Sequence, residues 1–354
     1  MDPSDEAQGK SEDASQSTDD PKPPRRWVHW LRIAVVTACW LYLAMVLTFW
    51  LVMYFGTDRW WVATALMFGP RWVLATPLLL LIPAALAFHW RSLAILGIAA
   101  VIVLLPVMGF RIPWRPAFQQ NAAELRLRLV TCNIHRYWLS GTGLRDLITT
   151  TQADVVALQE WTSRHESAAF GDAQWHTLRD DELFLASRYP IRKFKDLVLT
   201  QKDSGIAVCY ELQTPTEPVY LINLHLMSPH PALESLIERD PAAPARIEQN
   251  SSRRREESRL ISEFAAKLPG PVLLAGDFNT PTDSTIYREC WSQFGNAFCT
   301  AGTGFGFTYY TRLMRTRIDH ILTGPGWQCR RSWVGPAIGS PHRPVIAELH
   351  HTPP

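Results

Sequence analysis

The stretch that decides the fold is Pro-Val-Leu-Leu-Ala-Gly-Asp-Phe-Asn-Thr, residues 271–280. Its apolar run carries no charge, which is typical of a buried β-strand, and Asp277 and Asn279 follow where that strand must end. A polar side chain at the end of a buried strand is held on a rigid frame, where sheet proteins build their sites. The stretch therefore predicts one edge of a sheet that carries chemistry.

The same arrangement recurs elsewhere in the C-terminal two thirds of the chain. Asn133 closes a strand predicted over 125–133, and Glu160 follows a strand predicted over 154–159. The other cases are His225 in a strand predicted over 219–226, Asp319 in one over 318–323, and His342 before one over 345–349. The remaining predicted elements are a strand over 206–212, paired with 219–226, and helices over 143–151 and 249–267. Strands interleaved with helices in this way predict an α/β fold, a layered sandwich.

The side chains at these strand ends favour one kind of chemistry. Glu160 and Asp277 are oxygen ligands without accompanying cysteine ligands, which suits Mg²⁺, Mn²⁺ or Ca²⁺ rather than Zn²⁺. The asparagines of the set can bind phosphoryl oxygens or orient a water, and its histidines can transfer a proton. A metal, amides and imidazoles around a phosphoryl group describe metal-assisted hydrolysis.

Seven short segments carry these side chains in a fixed order. They are Thr-Cys-Asn-Ile-His (131–135), Val-Ala-Leu-Gln-Glu (156–160), Leu-Ala-Ser-Arg-Tyr-Pro-Ile (185–191), Leu-Ile-Asn-Leu-His-Leu (221–226), Ala-Gly-Asp-Phe-Asn-Thr (275–280), Arg-Ile-Asp-His-Ile-Leu (317–322) and Ser-Pro-His-Arg-Pro-Val (340–345). Together they resemble the endonuclease/exonuclease/phosphatase superfamily, which includes pancreatic-type deoxyribonucleases, apurinic endonucleases and neutral sphingomyelinases. The resemblance implies a four-layered α/β sandwich, in which two packed mixed β-sheets are flanked by helices. It also implies a metal-dependent phosphoesterase with its site at one edge of the sheets.

The resemblance implies a metal site and a water-activating group. Glu160 is the expected principal ligand of Mg²⁺ or Mn²⁺, with Asn133 beside it and Asp277 as a further ligand. Asp277 is also expected to position or deprotonate the attacking water, together with Asn279.

The resemblance assigns the phosphate-facing roles to a second group. Asn279 is expected to hold the phosphate, with Asn133 also on the substrate side, and His225 to contact the phosphate or the leaving oxygen. His342 is expected to be the second catalytic histidine, oriented by Asp319. Arg188 is a weaker substrate-binding candidate that could order the edge of the site instead.

The last segment departs from the family pattern. Pro341 stands between Ser340 and His342, where the family usually has an aspartate that helps bind metal or tunes the histidine. A proline can replace neither role. A second metal site is therefore not expected, and the alternative function is a membrane-bound binding protein that keeps the fold but has weakened turnover.

The N-terminal third predicts a membrane block. Residues 27–116 hold one acidic and six basic residues, and apolar runs over about 33–55, 72–90 and 92–110 predict three transmembrane helices. Nine of the 15 Trp residues lie in this block, as expected for aromatic belts at the membrane surface. Buried core helices of a soluble protein are the alternative. Residues 1–26, rich in Ser, Asp, Gln and Pro, predict a disordered tail.

The charge pattern predicts an orientation and leaves the substrate open. Basic residues before the first span favour a cytoplasmic N-terminus, which places the catalytic domain, residues 117–354, outside the cell membrane. That domain holds 25 acidic and 25 basic residues, so composition does not favour nucleic acid, which normally needs a basic face. The expected partners are the bilayer and a phosphoester substrate, either nucleic acid or a phospholipid or sphingolipid. No protein partner is inferred, and spans without acidic residues disfavour a transporter.

Two further expectations concern the catalytic domain. Cys132 and Cys209 are expected to be buried thiols, whereas Cys290 and Cys299 could form a disulfide if the domain is external. The run Arg-Arg-Arg-Glu-Glu at 253–257 is expected to form the solvated face of a helix.

Overall fold

The computed structural model describes residues 26–113, 125–136, 142–162, 169–171, 174–197, 205–312 and 314–352. The predicted disordered tail, residues 1–26, lies outside this described part except for Arg26.

Three apolar helical segments form the N-terminal part of the molecule. The first is α1 (Arg26–Gly56), which is followed by the short α2 (Trp61–Met67). The second joins a 3₁₀ turn (Arg71–Ala75) to α3 (Leu78–Phe88), and the third joins a 3₁₀ turn (Trp90–Ser92), α4 (Leu93–Ile102) and a π turn (Val103–Val107). All three segments are long and apolar enough to cross a membrane. They pack on one another through a small apolar cluster, yet Leu79 and Leu80 are 76% and 78% exposed. Such outward-facing leucines are not what the core helices of a soluble protein would show.

Two six-stranded mixed sheets form the centre of the remaining described chain. The first sheet has the order β13-β14-β1-β2-β4-β3, with β1 Leu125–Asn133, β2 Val155–Gln159, β3 His176–Asp180, β4 Leu183–Ser187, β13 Trp327–Val334 and β14 Val345–His351. The second has the order β5-β6-β7-β8-β12-β9, with β5 Ile191–Leu197, β6 Ile206–Gln213, β7 Pro218–His225, β8 Val272–Asp277, β9 Gly295–Asn296 and β12 Asp319–Thr323. A small hairpin joins β10 (Tyr309–Tyr310) to β11 (Arg315–Thr316). The helices between strands are α5 Gly143–Thr151, α6 His230–Ile237, α7 Ala243–Ala265 and α8 Ala297–Ala301.

The two sheets pack face to face and carry helices on their outer faces. The central cluster takes apolar side chains from both sheets, for example Leu129 from β1 and Leu273 from β8. A second cluster packs α5 against the outer face of the first sheet, and a third packs α7 against the second sheet. This is the expected α/β sandwich of two mixed sheets flanked by helices, because each sheet must bury both of its apolar faces.

The predicted elements are found, but several others were missed. Strands β3, β4, β5 and β13 were not predicted, and α7 begins at Ala243 rather than at residue 249. The strand β5 has charged, exposed side chains over most of its length, so its sequence lacks the apolar signal of an inner strand.

The sequence left open whether Cys290 and Cys299 form a disulfide, and both are free thiols in the structure. The expectation that the run 253–257 forms a solvated helix face was wrong for two of its residues. In the run 253–257, Arg254 and Glu257 are only 1% and 5% exposed. They lie three residues apart, on the helix face that turns toward the rest of the molecule. Cys132 and Cys209 are buried free thiols, as expected.

The N-terminal helices contact the sandwich in a region that we call the junction. After α1, Asp58 pairs with Arg254 of α7 (Nη1 to Oδ1, 3.3 Å), and Arg59 pairs with Glu289 (2.6 Å). After the third segment, the backbones of Arg111 and Gly304 exchange two hydrogen bonds (2.8 and 2.9 Å). The C-terminal ends of the first and third segments therefore lie on the same side as the sandwich.

Candidate active site

The strand order explains why the polar strand ends meet. The pair β1 and β2 is parallel in the first sheet, and the pair β7 and β8 is parallel in the second. The carboxyl ends of these four strands carry Asn133, Glu160, His225 and Asp277 to one edge of the stacked sheets. The antiparallel neighbour β12 begins at the same edge, since Asp319 is the register partner of Asp277.

Asn133 connects the two sheets at this edge. Its side-chain Nδ2 donates to Glu160 Oε1 at 3.0 Å and to Asp277 Oδ2 at 3.1 Å. Its Oδ1 accepts the backbone N–H of His135 at 2.9 Å, which sets the orientation of the amide. The amide group thus holds a carboxylate from each sheet at one point.

Two of the site residues have a backbone conformation that is unusual for residues with a side chain. Glu160 and Asn279 have φ values of 53° and 49°, in the left-handed region. Such conformations are kept where the surrounding structure demands them, which is often at a site. Asn279 is fixed by its backbone N–H, which donates to Asp277 Oδ1 (2.9 Å), and by its Nδ2, which donates to the Leu226 carbonyl (2.8 Å).

His342 forms a buried pair with Asp319. Its Nδ1 lies 3.0 and 3.1 Å from the two carboxylate oxygens of Asp319, and its Nε2 lies 3.8 Å from Asp277 Oδ2. Burial by itself would lower the pKa of His342, but the negative charges of Asp319 and Asp277 outweigh it and raise the pKa to about 9. The imidazole is therefore protonated at neutral pH, and its Nε2 faces the carboxylate cluster.

His225 is oriented by a residue that the sequence did not single out. Its Nδ1 lies 2.7 Å from Glu182 Oε1, and its Nε2 lies 3.8 Å from Asp277 Oδ2 and 4.0 Å from Glu160 Oε1. Burial opposes the charged form of His225, but Glu182, Asp277 and Glu160 raise its pKa above the ordinary value. Glu182 precedes β4, a strand that was not predicted, so no strand-end signal marked it.

The pKa of Asp277 is raised above its usual range. Burial is the main cause, and the charge of Asp319 adds to it, while His342 and His225 act in the opposite direction. A buried carboxylate whose negative charge is unfavourable without a nearby positive charge is a good ligand for a cation.

The donor set fits a divalent metal. Ligand atoms of Asp277, Asp319 and His342 lie within 4.8 Å of one another and could hold an ion. This grouping shares Asp277 with the predicted ligand set of Glu160, Asn133 and Asp277. Oxygen donors of this kind suit Mg²⁺ or Mn²⁺.

Arg188 is not brought to this cluster. Its backbone N–H donates to the Asp154 carbonyl, and its Nη1 donates to Gln174 at 2.6 Å. Asp154 lies just before β2, whereas Glu160 lies just after it. At about 3.3 Å per strand residue, the two ends of β2 are roughly 15–20 Å apart. The structure therefore places Arg188 at the opposite end of the sheet.

The segment around Pro341 is tied into the edge of the site. Ser340 Oγ donates to the Asn133 carbonyl (2.7 Å) and accepts the His342 N–H (3.0 Å). The Pro341 carbonyl accepts the N–H of Tyr310 (3.0 Å), and the ring of Tyr309 lies 4.8 Å from that of His342. His342 is thus held in place without an aspartate at position 341.

Comparison with known proteins gives the family. The Endonuclease/Exonuclease/phosphatase family matches residues 130–342, which include every residue of the cluster. The chain belongs to this family. Members of the family are metal-dependent phosphoesterases, and a group that could hold a metal is present at the site.

The chain is also similar to solved structures, at low sequence identity. A humanized D. rerio TDP2 with 14 mutations is 16% identical, with 64% of this chain and 99% of that chain covered, at a TM-score of 0.50. A family protein from Bacteroides vulgatus is 17% identical, with 65% and 100% covered, at a TM-score of 0.48. At this identity, the likeness to D. rerio TDP2 shows the fold alone. No match was found among curated proteins.

Proposed function

We propose that this protein is a membrane-anchored hydrolase of phosphoric esters that depends on a divalent metal. The observation that carries the proposal is the meeting of Asn133, Glu160, His225, Asp277 and His342 at one edge of the two sheets. The proposed organisation is a tail over residues 1–26, a membrane block over 27–116 and a catalytic domain over 117–354.

The carboxylate side of the cluster would hold Mg²⁺ or Mn²⁺. Glu160 and Asp277 are the proposed ligands, with Asn133 aligning both carboxylates through its amide. When bound, the ion would polarise a phosphoryl oxygen and offset the negative charge of the reacting group. Asp277 would also orient the attacking water, and Asn279, whose backbone is hydrogen-bonded to Asp277, would contact the phosphate.

The two imidazoles would donate hydrogen bonds or a proton to the phosphate and the leaving group. His342 holds a proton on Nε2 at neutral pH, so it can donate a hydrogen bond to developing negative charge or a proton to a leaving oxygen. Asp319 fixes the ring through Nδ1, and Glu182 does the same for His225. Both histidines would therefore be held in place as hydrogen-bond donors before substrate binds.

The proposed location is the cell membrane, with the catalytic domain on the extracytoplasmic side. The support is the set of basic residues that precede the first predicted span, Lys22, Arg25, Arg26 and Arg32, together with the contacts that the C-terminal ends of the first and third segments make with the sandwich. An alkaline phosphatase fused after Pro354 should be active in a bacterial host. An inactive fusion, with the protein inserted, would reverse the orientation.

Activity on bis-p-nitrophenyl phosphate tests the proposed function. The full chain in detergent micelles should show turnover that requires Mg²⁺ or Mn²⁺. The variants Glu160→Gln and His342→Ala should each lose at least about 100-fold in rate. Glu238→Gln, at an exposed position on the surface, is the matched control and should keep the wild-type rate.

The same assay decides between the two proposed functions, a hydrolase and a binding protein, and it is the first step toward identifying the substrate. Folded protein without turnover in any metal would favour a binding protein with weakened catalysis, as the presence of Pro341 suggests. A panel of DNA, RNA, phospholipids, sphingolipids and inositol phosphates then identifies the ester. A membrane anchor brings the site close to lipid head groups, which makes phospholipids and sphingolipids the first substrates to compare with nucleic acid.

A further inference from the structure

A large cavity lies at the junction between the N-terminal helices and the sandwich. Its volume is about 1000 Å³. One wall comes from the ends of the helical segments, including Trp72 and Gly109. The other wall comes from the β10–β11 hairpin and β13, including Tyr310 and Trp333. We call this space the junction cavity.

The lining of the junction cavity is strongly basic. Five arginines line it: Arg71, Arg312, Arg315, Arg317 and Arg331. Its single lining carboxylate, Asp283, is already paired with Arg71 at 2.8 Å. Within the described part of the chain, the other four arginines form no ion pair with a carboxylate. The cavity thus presents excess positive charge that the described protein groups do not neutralise.

Arg317 is the most unusual of these arginines because it is only 7% exposed. Its Nη1 donates to the Phe305 carbonyl (3.3 Å), and its Nη2 lies 3.1 Å from Thr282 Oγ1 and 3.7 Å from Cys299 Sγ. Its Nε is buried without a hydrogen-bond partner among the described residues. Neutral acceptors offset only part of the cost of burying a guanidinium, so an anion at this position would be stabilising.

Aromatic rings alternate with the arginines on the sandwich wall. The guanidinium of Arg315 lies 5.6 Å from the ring centre of Tyr310, and that of Arg331 lies 4.7 Å from the ring centre of Trp333. Arginine–aromatic stacking holds the guanidinium plane while its edge can still bind a phosphate. A wall of this kind suits a molecule that is anionic in one part and apolar in another.

The position of the cavity indicates where such a molecule comes from. Trp72 is the second residue of the second apolar segment, and Gly109 follows the end of the third. Segment ends lie at the level of lipid head groups when the helices span a bilayer, and Trp is typical of that level. Anionic lipid head groups are bound by basic pockets beside membrane helices.

We propose that the junction cavity binds the head group of an anionic glycerophospholipid from the surrounding bilayer, with Arg315, Arg317 and Arg331 facing its phosphate. This lipid is a bound ligand and not the substrate. It would join the membrane block to the segment that carries Asp319, two residues after Arg317. The proposal does not depend on turnover at the catalytic cluster.

Lipid binding by the full chain tests the proposal. Native mass spectrometry in detergent micelles would compare phosphatidylglycerol with phosphatidylcholine as probes. Wild-type protein should retain phosphatidylglycerol in preference. The double variant Arg315→Gln/Arg331→Gln, at two exposed positions, should bind phosphatidylglycerol at least about tenfold more weakly, and so should Arg317→Gln. Arg126→Gln, which removes an exposed arginine from β1, is the matched control and should bind as the wild type does.

Three results would overturn the proposal. The first is equal retention of phosphatidylglycerol and phosphatidylcholine, which would mean that charge does not select the ligand. The second is unchanged affinity in the folded double variant. The third is displacement of the lipid by an equal concentration of glycerol 3-phosphate, which would identify a site for a free phosphate. Because the readout is binding, these results stay separate from any loss of phosphoesterase activity.

Discussion

Two buried arginines at the junction differ in how their charge is met. Arg254 is 1% exposed and Arg317 is 7% exposed, and each donates to a backbone carbonyl and to a threonine hydroxyl. Burial lowers the pKa of both. Arg254 is paired with Asp58, whereas Arg317 has no carboxylate ion pair within the described residues. The Nε of each is buried without a hydrogen-bond partner among the described residues, so the carboxylate is what distinguishes the two: the charge of Arg254 is paired within the protein, and that of Arg317 is open to a ligand.

The difference shows two ways of joining the N-terminal helices to the sandwich. Asp58 is the single acidic residue of the block 27–116, and it also accepts hydrogen bonds from Ser284 Oγ and the Ile286 N–H. Arg254 Nη2 in turn donates to the Asn279 carbonyl at 2.6 Å. The ion-paired contact between Asp58 and Arg254, which we call the closed contact, therefore links the loop after α1 to the backbone of a candidate site residue. At Arg317, which has no carboxylate partner among the described residues, the helices and the sandwich leave the junction cavity between them. We call this the open contact.

The largest expected effect comes from breaking the closed contact. Asp58→Asn keeps the shape of the side chain but leaves Arg254 buried without its counter-ion. Removing one partner of a buried ion pair costs about 3–5 kcal/mol. The midpoint of thermal unfolding of the full chain in micelles should fall accordingly. The double variant Asp58→Asn/Arg254→Met should recover part of the loss, because it buries no unpaired charge. A single variant as stable as wild type would show that the pair contributes nothing.

A smaller effect is expected from acid, through a histidine that lies between the two arginines. His320 Nε2 contacts the carbonyl of Thr280, whose hydroxyl binds Arg254. Burial, with a further contribution from the charge of Arg317, lowers the pKa of His320 from 6.5 to about 4. The folded state thus favours the neutral form of His320. The resulting contribution to the free energy of unfolding is fully present above pH 6.5 and is lost as the pH falls through 4. Stability should drop by up to about 3 kcal/mol over that range.

The acid effect can be separated from other titrations with His320→Gln. Chemical unfolding at pH 7 and at pH 4.5 should show a smaller difference between the two conditions in the variant than in wild type. An identical difference in the two proteins would remove His320 as the cause.

The smallest expected effect comes from the open arginine. Arg317→Met removes a buried charge that has no ion pair in the described residues, and methionine can fill much of the same volume. The shift of the unfolding midpoint in lipid-free micelles should therefore correspond to a change of no more than about 1 kcal/mol in the free energy of unfolding. Phosphatidylglycerol should raise the midpoint of wild type but not that of the variant. A loss as large as that of Asp58→Asn would mean that Arg317 is a structural residue like Arg254.

Much of the edge of the sheets could be predicted from the sequence. Strands buried on both faces are continuous apolar runs, so the polar residues Asn133, Glu160 and Asp277 stand out at their ends. The edge strand β5 and the residue Glu182 could not be found in this way. The side chains of β5 are largely exposed, and Glu182 follows two aspartates in a turn, which is an ordinary surface pattern.

The sequence by itself determined the α/β class, the three apolar helices and the family, because these depend on local periodicity and on the order of short segments. Only the tertiary structure decided which charged groups are buried. Arg254 lies in a stretch whose sequence predicts a solvated helix face, and Arg317 directly precedes a predicted strand. The groups that surround both side chains come from other parts of the chain. Asp58 is 196 residues from Arg254, so no local pattern could show that one charge is paired while the other faces a cavity. Burial and pairing are properties of packing between distant segments, and they separate a structural arginine from a ligand-binding one.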